Sequence, residues 1–143
     1  MADQMDAAPI VAQWYFDEFG GEDTVEFIAE KLLLGRNRNE LPILYLARSD
    51  GKLVGAGELK FREIDMFPNY KYWLDGIFVK PSHRGQGISS KLIEFGLSKA
   101  KFLGLSQLHL RCADYNVKLY EKHGFKTVAV DNARFIMELQ LNT

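Results

Sequence analysis

The sequence predicts a single α/β domain in which helices flank a mixed sheet. Three observations point to it. Helical and strand periodicities follow one another as helix, helix, strand, strand, strand, helix, strand, helix, strand, strand. One strand, ending in Phe78-Val79, runs through a glycine-bearing loop directly into a long helix. The chain of 143 residues, 47% hydrophobic and 26% charged, is about one domain's worth, without repeats, low-complexity tracts or a linker.

Residues 8–19 crowd apolar side chains onto one side and read as a helix, broken by Gly20-Gly21. Asp23 or Thr24 caps a second helix with Val25, Ile28, Ala29 and Leu32 at helical spacing, stopped at Gly35. Residues 43–47 and 53–61 form a hairpin across Ser49-Asp50-Gly51-Lys52, and a strand follows over residues 72–79. The helix after the loop runs to about Leu103, with Ile88, Leu92, Phe95, Ala100 and Leu103 as its buried stripe. A strand over residues 105–112 and a short helix over 114–122, capped by Asp114 and closed by Gly124, follow. Residues 125–130 and 134–141 complete the sheet.

No apolar run approaches the ~18 residues needed to cross a bilayer. MADQMDAAPI lacks the basic start and apolar stretch of a signal peptide. Cys112, the single cysteine, excludes an internal disulfide and any multi-cysteine zinc site. His83, His109 and His123 show no metal spacing, and His109, alternating with Leu108 and Leu110, is expected at the surface or on a strand face. A net charge of −1 carries no nucleic-acid footprint. The expectation is a one-domain cytoplasmic protein without metal, membrane or nucleic-acid partner, either monomer or homodimer.

The charge is unevenly placed. Residues 1–30 hold 8 acidic side chains and no Lys or Arg, whereas the rest carries 18 basic against 11 acidic. Either this is a solubilising face on the first helices, or it faces a cationic partner while the basic remainder faces an anionic one.

Two constellations carry chemistry. Arg84-Gly85-Gln86-Gly87-Ile88-Ser89 joins a strand to a helix, so its amides and the helix N-terminus suit a phosphate or pyrophosphate, with Arg84 as an added cation. It is neither a Walker A loop nor a three-glycine dinucleotide fingerprint. Further on, Asn116 and Tyr120 stand four apart and so share one face of a short helix.

These residues resemble the GCN5-related N-acetyltransferase (GNAT) superfamily. Its acetyl-CoA loop, Arg/Gln-x-x-Gly-x-Gly/Ala, is matched by residues 84–89, with Ser89 where the family usually has Gly or Ala. The strand Leu74-Asp75-Gly76-Ile77-Phe78-Val79 and the run from Asn116 to Gly124-Phe125 also look like the family pattern. The likeness is strong from about residue 42 to 141. It implies a GNAT fold with a mostly antiparallel central sheet. Only about seven residues precede the first helix, so the family's first edge strand is expected to be short or missing.

By resemblance, the protein is an acetyl-CoA-dependent N-acetyltransferase in which a neutral amine attacks the thioester directly. The pantetheine arm would pair with the backbone at Ile77, Phe78 and Val79, and the pyrophosphate would rest on the amides from Arg84 to Ser89. Tyr120 matches the residue that protonates the leaving thiolate. Asn116 would contact the cofactor or a bridging water, or is simply a polar helix residue. Glu58 and Asp75 are candidates to take the amine's proton, with Asp75 sharing a face with Ile77 and Val79. The first two helices usually wall the acceptor site in this family. The acidic segment therefore favours a cationic acceptor such as a polyamine, an aminoglycoside-like amine or a basic peptide N-terminus. Trp14, Tyr15, Phe16, Tyr70, Tyr72 and Trp73 would either cage that cation or pack in the core. Two alternatives stand beside this reading: a catalytically silent acyl-CoA sensor, and an enzyme using a longer acyl-CoA.

Overall fold

The computed structural model describes residues 7–19, 21–33 and 40–141. Two helices, α1 (Ala8–Phe19) and α2 (Val25–Leu33), precede strands β1 (Ile43–Ser49), β2 (Lys52–Phe61) and β3 (Tyr72–Val79). Helix α3 (Ile88–Phe102), β4 (Gln107–Ala113), the short α4 (Val117–Glu121), β5 (Lys126–Asp131) and β6 (Arg134–Gln140) follow. The six strands form one sheet in the order β1-β2-β3-β4-β6-β5. Only β3 and β4 run parallel; the other neighbours are antiparallel. Residues 1–6, where a short version of the first edge strand would fall if it is not missing, and Gly20 and Gly35, expected helix breakers, lie outside the described residues.

Local chemistry accounts for the element boundaries. Asp50 and Gly51 at φ 51° and 78° make the two-residue turn whose twist suits the β1–β2 hairpin. Thr24 Oγ1 accepts a hydrogen bond from Phe27 N at 3.1 Å, so Thr24 rather than Asp23 caps α2.

Alternation along the strands builds two cores. Ile43, Tyr45, Leu59, Leu74, Leu108 and Leu110 pack on one face with Leu92, Ile93 and Ala100 of α3. Leu44, Ala56 and Phe78 pack on the other with Val11, Ala12 and Tyr15 of α1.

The structure revises four sequence expectations here. The buried stripe of α3 is Leu92, Ile93, Gly96 and Ala100, while Phe95 is exposed. Gly96 sets this rotation, because a Cβ there would lie 2.6 Å from Tyr45 Oη, which itself donates to Leu92 O at 2.9 Å. Asp114 makes no side-chain cap; a 3-10 turn over Asp114–Asn116 leads into α4 instead. His109 is on a strand face but fully buried, its ring stacked on Tyr70 at 3.8 Å between centroids and its Nε2 3.0 Å from Glu138 Oε2. Burial holds that imidazole below its usual pKa.

Asp75 supplies the fourth revision, since it does not share a face with Ile77 and Val79. Ala56 pairs with Phe78 and Glu58 with Asp75, so Gly76 and Ile77 together oppose Gly57 in a bulge. Gly76 takes φ +61°, and its carbonyl accepts from Tyr15 Oη at 2.8 Å. The extra residue resets the alternation: Ile77 and Val79 join the α3-side core, and Asp75 faces the opposite side beside Glu58.

Candidate active site

Beyond the bulge, β3 and β4 separate. Trp73 and His109 form their one register pair, so the strands diverge toward their C-terminal ends. Two adjoining cavities open there. One of about 260 Å³ is lined by Ile77, Phe78, Val79, Arg84, Gly85, Ile88 and Ser89. The other, about 1090 Å³, is lined by Glu58, Lys60, Arg62, Asp75, Arg111 and Arg134 among others. Tyr120, Asn116, Tyr115, Ile77 and Glu18 line both.

Backbone makes the smaller cavity. Lys80 N donates to Val54 O at 2.8 Å, so alternation turns the amide groups of Val79 away from β2 toward the gap. Gly85 and Gly87 take φ +80° and +82°, with open space where a Cβ would be. Gly87 caps α3 with no side-chain hydrogen bond, leaving the first amides of a 15-residue helix available to an anion. Gln86 and Gly87 do not themselves line the cavity, whereas Ser89 does. These features fit a pyrophosphate joined to an extended arm along β3.

Arg84 is less free than the sequence suggests. Its Nε donates to Val79 O at 2.8 Å, its Nη2 lies 3.3 Å from Glu18 Oε1, and the guanidinium covers the Phe78 ring at 5.3 Å. It therefore ties the loop to the end of α1.

Side chains make the larger cavity. Glu58 is buried at 5% exposure, opposite Asp75 on the neighbouring strand. Lys60 Nζ lies 3.4 Å from Glu58 and 3.5 Å from Asp75, and Arg62 Nη1 lies 3.3 Å from Asp75. Burial pushes the Glu58 carboxyl up to about 7 against the pull of Lys60, with Asp75 adding to the rise. Burial alone would lower the Lys60 pKa, but the two carboxylates outweigh it and the net shift is upward.

Tyr120 is 8% exposed, on α4. Burial first, then the charges of Cys112 and Asp75, raise its phenol well above the usual tyrosine range, so it stays protonated at neutral pH. Cys112 packs in the core, its thiol pushed up to about 11 by burial, as small apolar filler. Among the described residues no cluster of three His, Cys, Asp or Glu could hold a metal.

The first two helices do not give the cavity an acidic wall. Of the acidic residues in the described part of the N-terminal segment, only Glu18 reaches it, and α2 contributes the cation Lys31. The aromatic cage does not form either. Tyr15 alone of those six rings lines the cavity, while Trp14 stacks on Phe78 and Trp73 is buried, donating to Tyr70 O at 2.7 Å. Lys60, Arg62, Arg111 and Arg134 carried no sequence signal, because their convergence depends on sheet order and register.

Residues 8–125 match the acetyltransferase (GNAT) family. The chain belongs to that family. A thialysine N-epsilon-acetyltransferase from Bos taurus is 48% identical over 64 residues, which cover 45% of this chain and 37% of that protein. The match thus spans well under half of the curated relative.

The fold is shared with more distant structures. The PaiA N-acetyltransferase from Thermoplasma acidophilum in complex with coenzyme A superposes with a TM-score of 0.72 at 24% identity, covering 98% of this chain and 94% of that one. A ribosomal-protein-alanine N-acetyltransferase from Brucella melitensis gives 0.75 at 16% identity, covering 99% and 96%.

Proposed function

We propose that the protein transfers the acetyl group of acetyl-CoA to a primary amine by direct attack. The observation that carries this reading is that Tyr120 lines both cavities where β3 and β4 part, with Glu58 and Asp75 in the larger one. Bound CoA structures among fold relatives support the assignment of the smaller cavity. The bovine relative's name, a thialysine N-epsilon-acetyltransferase, supports an amine acceptor.

Acetyl-CoA supplies an acetyl thioester. The amides of residues 84–89 and the N-terminus of α3 hold its pyrophosphate, while the Ile77–Val79 backbone aligns the arm and Asn116 adds a polar contact beside Tyr120. Glu58, with its pKa near neutrality, takes the proton lost from the amine, directly or through water, as the C–N bond forms. Lys60, which also pairs with Asp75, holds that carboxylate in place. Tyr120, protonated at neutral pH, gives its proton to the departing sulfur as the C–S bond breaks.

The test is amine-dependent release of CoA, followed with a thiol reagent across an amine panel, for wild type and Tyr120→Phe. Release by wild type that falls about 100-fold in kcat in the variant, with acetyl-CoA affinity unchanged, is the expected result. Thermal stabilisation by acetyl-CoA without release on any amine would favour a silent acyl-CoA binder. Protection by propionyl- or succinyl-CoA exceeding that by acetyl-CoA would change the donor.

A further inference from the structure

Most charges in the larger cavity are already matched within the protein. Lys60 and Arg62 answer Glu58 and Asp75, Lys31 lies 3.0 Å from Asp23, and Glu18 is tied to Arg84. Arg111 Nη2 lies 3.3 Å from Asp131 Oδ2. Arg134 is the lining cation with no carboxylate partner among the described residues. A polyamine would thus meet no unclaimed carboxylate in this cavity, whereas an anionic group would meet an unclaimed guanidinium.

Register places that guanidinium. Trp73 pairs with His109, and two residues further along each parallel strand lie Asp75 and Arg111. Arg134 follows on β6, opposite Ala113. The carboxylates of β2 and β3 therefore stand on one side of the gap between β3 and β4, and Arg111 and Arg134 on the other. With strands ~4.8 Å apart, β6 lies three spacings, about 14 Å, from the Glu58 strand β2, a span that the long Arg134 side chain and an extended diamino acid bridge together.

Resting on the transferase reading above, we infer that the acceptor is a free diamino acid whose carboxylate is held by Arg134, with Arg111 beside it, while its side-chain amine reaches Glu58. Arg134 is then a specificity residue, absent from the chemistry itself. Of the described acidic residues in the N-terminal segment, only Glu18 lines this cavity, and it is tied to Arg84. Neither cation lines the smaller cavity, which separates this anion site from the one for the cofactor's pyrophosphate.

The experiment uses lysine, lysinamide and 1,5-diaminopentane, which share a carbon chain and a terminal amine but differ in the carboxylate. Each is assayed for turnover and, in CoA-saturated protein, for equilibrium binding. The expected result is a preference of about tenfold for lysine over lysinamide, expressed in KM and in binding rather than in kcat. Arg134→Gln removes the preference, Arg134→Lys retains part of it, and acetyl-CoA affinity is unchanged in both. Equal or better use of the two amines lacking a carboxylate by wild type overturns the inference. So does an Arg134→Gln variant that loses acetyl-CoA affinity instead, which would make the anion a cofactor phosphate. If no amine turns over yet lysine still binds best through Arg134, the transferase reading fails and the carboxylate site stands.

Discussion

The two cavities are built on opposite principles. The smaller one takes most of its lining from one contiguous stretch, residues 77–89, with Tyr115, Asn116, Leu119 and Tyr120 closing it, and that stretch offers backbone: the Val79 edge, the loop amides and the uncapped start of α3. The larger one draws side chains from α1, α2, β2, β3, β4 and β6, and offers charge. Backbone recognition requires a conformation, which glycines at positive φ supply locally. Side-chain recognition requires distant strands to be brought into register. The first tolerates changes in side chains and the second does not, so substitutions should affect donor and acceptor separately.

The largest separation is expected from Glu58→Gln. Turnover should fall about 100-fold, and the wild-type rise of kcat/KM with pH through about 7 should vanish, because only ionised Glu58 accepts a proton. Acetyl-CoA affinity should not move. The same variant tests stability with the opposite sign. The folded pKa, about 7, lies above the usual 4.5, so the folded state holds the extra proton between these values and stability declines as pH rises from about 4.5 through 7. Above pH 7 the glutamine variant should therefore be the more stable protein, by roughly 1–3 kcal/mol in denaturant titrations. A less stable variant would show that Lys60 compensates the buried charge fully.

Gly87→Val addresses the other cavity. A β-branched residue at φ +82° is strained, and relaxing it would move the amides at the head of α3. Acetyl-CoA should bind about tenfold more weakly, while kcat at saturation and acceptor KM stay near wild type. A change confined to acceptor KM would mean the cavities have been assigned the wrong way round.

The smallest effect is expected at the β5–β6 turn, where Asn132 and Ala133 take φ +50° and +64°. Ala133→Gly should relieve left-handed strain and raise stability by up to about 1 kcal/mol, measurable by thermal unfolding. Acetyl-CoA affinity should be unaltered, because neither turn residue lines the smaller cavity.

Much of the fold is legible in the sequence wherever the cause is local. The Asp50-Gly51 turn, the Thr24 cap region, the alternation of β1 and β2 and the strand–glycine-loop–helix unit all follow from residues within a few positions of one another. The approach of Asn116 and Tyr120 to the Arg84–Ser89 loop agrees with what the family resemblance implies. The errors occur where a distant partner decides. Phe95 is displaced from the α3 stripe because Tyr45, on another strand, occupies the space at Gly96. His109 is buried because Tyr70 stacks on it and Glu138 pairs with it. Asp75 changes face because of a bulge that appears only when β3 is laid against β2.

The sequence by itself determined the α/β class, the element order and the backbone-built cavity, because periodicity, capping and positive-φ glycines act over a turn or a strand. Tertiary structure alone decided which charges meet. Glu58 acquired a carboxyl pKa near neutrality through burial, and Arg134 was left as a cation without a carboxylate partner among the described residues through the insertion of β6 between β4 and β5. Coulomb energy and desolvation depend on separations in space, and the order of residues along the chain does not specify those separations until the sheet has formed.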